Sequence, residues 1–195
     1  MMTGMSKADT LDLLEAHGMN TVDRIVVRKP FKAEQLIVKF MTSPHNVISL
    51  RSWKKGKHLC PFYPNQTQDQ LLQIMNKDWD KLKVMDEIIL SEGIDPEKSQ
   101  MAGKILDTGN EYLVEYFKGP GTVRKLDTIT PLTKRLPRKL TLGVDAVKDD
   151  FKIWAPLYIA AKAFFRAYPG TILEWSKYPN KIGKKKENFI FWEVI

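Results

Sequence analysis

The chain has 195 residues, 43% hydrophobic and 28% charged, a composition for a soluble globular fold of one domain or two small lobes sharing a core. No apolar run reaches the roughly 20 residues that span a bilayer, the opening Met1-Met-Thr-Gly-Met-Ser-Lys7 lacks the apolar stretch of a signal peptide, and one cysteine, Cys60, excludes an internal disulfide, so the cytoplasm is the expected compartment. A net charge of +8 and a pI near 9.4 favour anionic partners (nucleic acid, nucleotide phosphates or an acidic protein) without choosing among them.

Taken in chain order, Ser6 is a candidate N-cap for a short helix from Lys7 to His17, with Leu11 and Leu14 on one face and Gly18 as its stop. Arg24 to Arg28 reads as a strand ended by Pro30, and Glu34 to Phe40 fits either a strand or a helical turn. Val47 to Trp53 alternates cleanly, with Val47, Ser49, Arg51 and Trp53 on one side and Ile48 and Leu50 on the other. Leu59 to Pro64 is held extended by its prolines. Gln66 to Lys83 carries a helical stripe of Leu71, Leu72, Ile74, Met75, Trp79 and Leu82, with Thr67 as its candidate cap. A strand over Val84 to Leu90 and a turn at Glu92-Gly93 follow.

Gly103 to Leu106 and Glu111 to Phe117, joined by Asp107-Thr-Gly-Asn110, form the strongest hairpin signal in the chain. Thr122 to Leu126 extends that meander, Lys134 to Lys139 reads as a basic connector, and Leu140 to Val147 as a further strand. Ile153 to Tyr168 is the principal C-terminal helix, with Pro156 expected in its first turn. Strands at Thr171 to Trp175 and Asn188 to Val194, joined by a basic loop, close the chain. The expected fold is α+β, with a mostly antiparallel sheet and about three helices. The expected organisation is one compact domain over 1–195, with a lobe boundary near residues 130–150.

The search for chemistry eliminates several classes. His17, His45 and His58 are too scattered for a zinc site, and His58 with Cys60 lacks a third group at a usable spacing. There is no Gly-x-Ser-x-Gly elbow, Walker loop or Rossmann fingerprint. Two features remain. Gly119-Pro-Gly121 allows close backbone approach to an anion and is followed by Arg124, although the same tripeptide also makes a plain tight turn. Ionic residues also interrupt apolar strands: Arg51, Glu115, Glu174 and Glu193. Alternation puts such residues on a solvent face at no cost. Gathered in a cleft, the carboxylates hold a divalent cation while arginines hold phosphate oxygens. The acids fit a Mg-nucleotide site better than a nucleic-acid face, where each would repel the backbone.

The order of these elements resembles the ATP-grasp fold: an early helix, a strand with a cation (Arg51), a second helix, an acidic strand before a glycine-rich turn (Glu115, Gly119, Gly121), a cation (Arg124), and late strands with Glu174, Glu187, Asn188 and Glu193. Members hold ATP between two α+β lobes and activate a carboxylate as an acyl phosphate, which an amine or thiol attacks. The resemblance implies ATP and Mg²⁺ as cofactors and a small carboxylate as substrate. It implies Arg51 and Arg124 as phosphate contacts, Glu115 near the ribose or hinge, and Glu174 with Asn188 as Mg²⁺ ligands. Lys104 or Lys39 would be the strand-borne phosphate lysine. The family's metal-binding Glu-x-Asn is not present as such; Glu187 and Asn188 are adjacent. An acceptor would be steered in by Lys184 to Lys186. The alternatives are a basic nucleic-acid-binding module, using Trp53, Trp175 and Tyr178 beside lysines as stacking platforms, and a non-enzymatic protein that binds an acidic partner.

Overall fold

The computed structural model describes residues 5–57, 59–120, 130–138 and 149–195. The chain divides into two compact units, one taking Val22–Asp95 with residues 5–9, the other Thr10–Thr21 with Pro96–Ile195. The strands expected at Thr122 to Leu126 and Leu140 to Val147, and residues 139–148 of the expected boundary at 130–150, lie outside the described residues. No helix among the described residues is long and apolar enough to cross a membrane.

Helix α1, Lys7–Ala16, starts where the sequence predicts. Ser6 Oγ accepts from the Asp9 amide at 3.1 Å and the Asp9 carboxylate accepts from the Ser6 amide at 3.3 Å, the reciprocal arrangement that satisfies two orphan donors.

The first unit carries strands β1 (Arg24–Arg28), β2 (Ile48–Trp53), β3 (Phe62–Gln66) and β4 (Glu87–Glu92), in one antiparallel sheet of order β1-β4-β2-β3. The ambiguous segment is a helix, α2 (Ala33–Met41), and the capped stripe is α3 (Gln68–Leu82), where Thr67 accepts from the Gln70 amide. Both helices share a core with the sheet: Leu36, Phe40, Ile48, Leu50, Leu71, Met75, Leu82 and Ile88. The alternation read in β2 holds, with Ile48 and Leu50 buried and Arg51 half-exposed.

The second unit is built on a five-stranded antiparallel sheet of order β7-β6-β5-β8-β9. Its strands are β5 (Met101–Asp107), β6 (Glu111–Lys118), β7 (Leu132–Pro137), β8 (Ile172–Ile182) and β9 (Glu187–Val194). The hairpin between β5 and β6 forms as read: Gly109 takes φ +90° and its amide donates to Asp107 Oδ1 at 2.8 Å. Two expectations are corrected. The basic segment from Lys134 is strand, because β6 offers it a full ladder from Tyr116↔Leu132 to Glu111↔Pro137. Helix α4 begins at Asp149, which puts Pro156 inside the helix rather than in its first turn.

One face of this sheet is covered by α4 (Asp149–Ala167). Tyr116 and Trp175 meet Trp154 edge-on at 4.8 and 5.9 Å, and Tyr112 meets Tyr158 at 5.6 Å. Strand alternation therefore commits Gly103, Ile105, Val114, Leu173 and Trp175 to the α4 face and turns Lys104, Glu115 and Glu174 to the other.

Candidate functional site

Four ionic residues from four adjacent strands stand side by side on the face away from α4. Glu115 of β6 pairs with Lys104 of β5, Lys104 with Glu174 of β8, and Glu174 with Glu193 of β9. Lys104 Nζ lies 3.4 Å from Glu174 Oε1. Directly opposed side chains in an antiparallel pair sit about 4.5–5.5 Å apart at Cβ, so this is one continuous strip of charge. A half-buried apolar row, Leu106, Leu113 and Ile172, runs alongside it, one residue pair further along the same face.

The strip is made by register. Gly103 lets β6 come close, since a Cβ there would stand 2.0 Å from the Glu115 carbonyl oxygen and 2.8 Å from Tyr116 Cα. An irregularity between Glu174 and Trp175 gives β9 one extra residue. It keeps Glu193 opposite Glu174 while Phe191 pairs with Trp175 on the α4 side.

Placing the expected residues one by one, the structure brings Lys104, Glu115, Glu174 and Glu193 together. Glu193 was visible in the sequence as an acid between Trp192 and Val194, but nothing local fixes which carboxylate faces Glu174. Asn188 stands elsewhere on β9, its amide donating to the Tyr178 and Pro179 carbonyls at 2.9 Å each. Gly119 has φ +111° and donates its amide to the Gln100 carbonyl at 2.9 Å, closing the β5–β6 ladder. Gly121, Arg124 and His58 lie outside the described residues. Arg51 belongs to the other unit, its guanidinium 4.4 Å from the centre of the Phe62 ring. Lys39 is exposed on α2, a helix rather than a strand. The hairpin and the closing strands are hydrogen-bonded neighbours in one sheet, so any ligand of these residues lies on the sheet face.

The donor set suits a hard cation. Two carboxylates in register with a lysine beside them present only oxygen ligands and one positive contact. No group of three or more His, Cys, Asp or Glu residues able to hold a metal occurs among the described residues. Mg²⁺ is usually held by one or two carboxylates, with the remaining positions filled by water and substrate phosphates. Of the aromatic side chains considered for base stacking, Trp175 is 1% and Tyr178 3% exposed, so neither offers a ring face, while Trp53 is half-buried in the other unit.

No protein-family model and no curated protein sequence matches the chain. Solved structures do match in fold. The D-alanine-D-alanine ligase from Coxiella burnetii superposes with a TM-score of 0.56 at 12% identity, over 97% of this chain and 47% of that one. The VanG D-Ala:D-Ser ligase from Enterococcus faecalis gives 0.53 at 13% identity, over 97% and 51%. N5-carboxyaminoimidazole synthase from Aspergillus clavatus, solved in complex with ADP and 5-aminoimidazole ribonucleotide, gives 0.53 at 14% identity, over 96% and 43%. The chain thus spans about half the length of the structures it resembles. Its fold is ATP-grasp-like.

Proposed function

We propose that the chain binds a nucleoside triphosphate with Mg²⁺ on the sheet face carrying Lys104, Glu115, Glu174 and Glu193, and that it serves an ATP-dependent ligation of a carboxylate. The observation that carries this reading is the register that sets Glu174 against Glu193 with Lys104 beside them. Carboxylates directly opposed across strands repel each other, and a cation bound between them is attracted by both.

In this reading Glu174 and Glu193 hold Mg²⁺, which when bound neutralises charge on the phosphate oxygens. Lys104 contacts a phosphate and positions it by charge. Arg124 is proposed as a further phosphate contact, and the half-buried Leu106, Leu113 and Ile172 give an apolar body a dry surface. Glu115 pairs with Lys104 and keeps it in place, or meets a ribose hydroxyl. A carboxylate oxygen of the acceptor attacks the γ-phosphorus and ADP leaves; an amine or thiol then attacks the acyl carbon and phosphate leaves. The protein's part is to position groups and stabilise charge. The family resemblance and the ligase folds reported above support this reading; the carboxylate substrate and the attacking group are proposals with it.

Thermal unfolding with ATP, ADP or AMP, each with and without Mg²⁺, tests it. A rise in melting temperature that needs both the metal and the β- and γ-phosphates is expected. No rise at millimolar MgATP would remove the reading and leave a basic scaffold.

A further inference from the structure

The α4 side of the second unit carries a cavity of about 430 Å³ that the charged strip does not use. Five lysines line it: Lys152 from α4 and Lys177, Lys181, Lys185 and Lys186 from the β8–β9 end. Among the described residues that line it, the one carboxylate is Glu187. Ile153, Pro156 and Ala160 of α4, with Met19, give it an apolar wall. Alternation separates it from the strip: Lys177 pairs with Phe189 beside the Trp175–Phe191 pair on the α4 side, whereas Glu174 and Glu193 face away.

We infer that this cavity is a docking site for a short acidic polypeptide segment carrying an apolar side chain between its carboxylates. Three features select that ligand. The first is charge: Lys181 and Lys186 are exposed and have no ion-pair or hydrogen-bond partner for their ammonium groups among the described residues, and like charges held this close favour an anion. The second is spacing. Lys177 and Lys181 are four residues apart on β8, about 13 Å at ~3.3 Å per residue, which spreads the positive charge over several residues of an extended ligand rather than one phosphate. Lysine ammonium groups are also point charges on flexible stems, suited to separate carboxylates and not to one planar bidentate anion. The third is the wall. Its aromatic members, Phe189 and Phe191, are 4% and 2% exposed, so no ring face is open for a base to stack on, as single-stranded nucleic acid requires. The open wall is aliphatic, with Ile153 44% exposed.

The inference stands apart from the nucleotide reading, because it uses the opposite face of the sheet. The test is fluorescence anisotropy with a labelled Glu-Glu-Leu-Glu-Glu peptide, its Gln-Gln-Leu-Gln-Gln counterpart, and a thymidine oligonucleotide of the same length. The acidic peptide binds, more weakly as salt rises, and the neutral one does not. The double variant Lys181→Gln/Lys186→Gln loses tenfold or more in affinity, and so does Ile153→Glu, which sets a like charge at the exposed wall. Lys104→Gln on the other face binds the peptide as the parent does. The inference is overturned if the acidic peptide fails to bind at low salt, if the oligonucleotide binds more tightly and displaces it, or if the two cavity variants, melting as the parent does, keep full affinity. MgATP stabilisation, measured on the same variants, is unchanged by the cavity substitutions, so failure at one face is read separately from failure at the other.

Discussion

Glu174 of β8 and Glu193 of β9 face each other across an antiparallel pair, and Lys104 Nζ stands 3.4 Å from Glu174 on its other side. The sheet thereby holds two negative side chains together where alternation left room for neutral ones.

That relationship predicts a separation of stability from binding. Glu193→Gln removes one of two opposed like charges and should change stability by no more than about 1 kcal/mol. The same variant should lose tenfold or more in MgATP affinity, since one cation ligand is gone. Paired melting and nucleotide-binding measurements check this; a variant that loses stability and keeps affinity would make Glu193 a structural residue.

Gly103 fixes the distance between β5 and β6. Gly103→Ala drives a methyl into backbone, 2.0 Å from the Glu115 oxygen, where no flexible side chain can move aside. A loss of about 3 kcal/mol or more is expected in chemical denaturation, with weaker nucleotide binding because Lys104 and Glu115 shift out of line. A loss below about 1 kcal/mol would show that the strands part easily.

Asn20 holds the turn between β8 and β9. Fully buried, it donates Nδ2 to the carbonyls of Ile182 and Phe189 at 2.9 and 2.8 Å and accepts from the Lys185 amide at 2.7 Å. Gly183 packs so tightly beneath it that a Cβ would meet the Thr21 oxygen at 2.6 Å. Asn20→Ala leaves three backbone groups without partners, each worth about 1–3 kcal/mol when buried. A drop of about 3 kcal/mol or more is expected, with faster amide exchange at Lys185; unchanged exchange there would contradict the assignment.

In the other unit, Tyr63 donates to Asp78 at 2.9 Å and Lys81 donates to the same carboxylate at 2.6 Å. Burial, then the hydrogen bond and charge of Asp78, push the Tyr63 hydroxyl up to about 12, because ionised tyrosine would face an anion in a poorly solvated place. Its folded value lies above the unfolded one, so its contribution to stability is complete below about pH 10 and is lost as pH rises toward 12. Asp78 is shifted down, first by the Lys81 hydrogen bond and then by that of Tyr63. Its contribution is present above the ordinary aspartate range and is lost as pH falls through its lowered value. Tyr112 is also shifted up, first by burial, so tyrosinate absorbance should show late titration of which Tyr63→Phe removes one group's share, and that variant should lose Tyr63's part of the alkaline decline in stability between about pH 10 and 12. A titration in which every tyrosine ionises near the ordinary value would refute this coupling.

Local signals in the sequence were sufficient for much of the fold. The Asp107-Thr-Gly-Asn110 hairpin, the Thr67 cap, the Ser6 start and the alternation of β2 each depend on neighbours within a few residues, and each forms as read. Segments decided by distant partners were harder. Lys134 to Lys139 is basic and contains a proline, so only the free edge of β6 makes it a strand. Glu34 to Phe40 has a short apolar run that fits two periods until α3 packs on it. The candidate site follows the same division. Acids on apolar strands mark Glu115, Glu174 and Glu193, and the family resemblance offers Lys104, but the pairing that sets Glu193 against Glu174 and leaves Asn188 apart depends on one extra residue in β9. That is a cross-strand property which spacing along the chain does not encode.

The most direct measurement is isothermal titration of ATP into the protein with Mg²⁺ and with chelator, repeated on Glu174→Gln/Glu193→Gln. Saturable binding that needs Mg²⁺ in the parent, and metal-independent or absent binding in a double variant that melts normally, is the predicted result. Equal MgATP affinity in parent and double variant would contradict the assignment of this sheet face to a metal–nucleotide site.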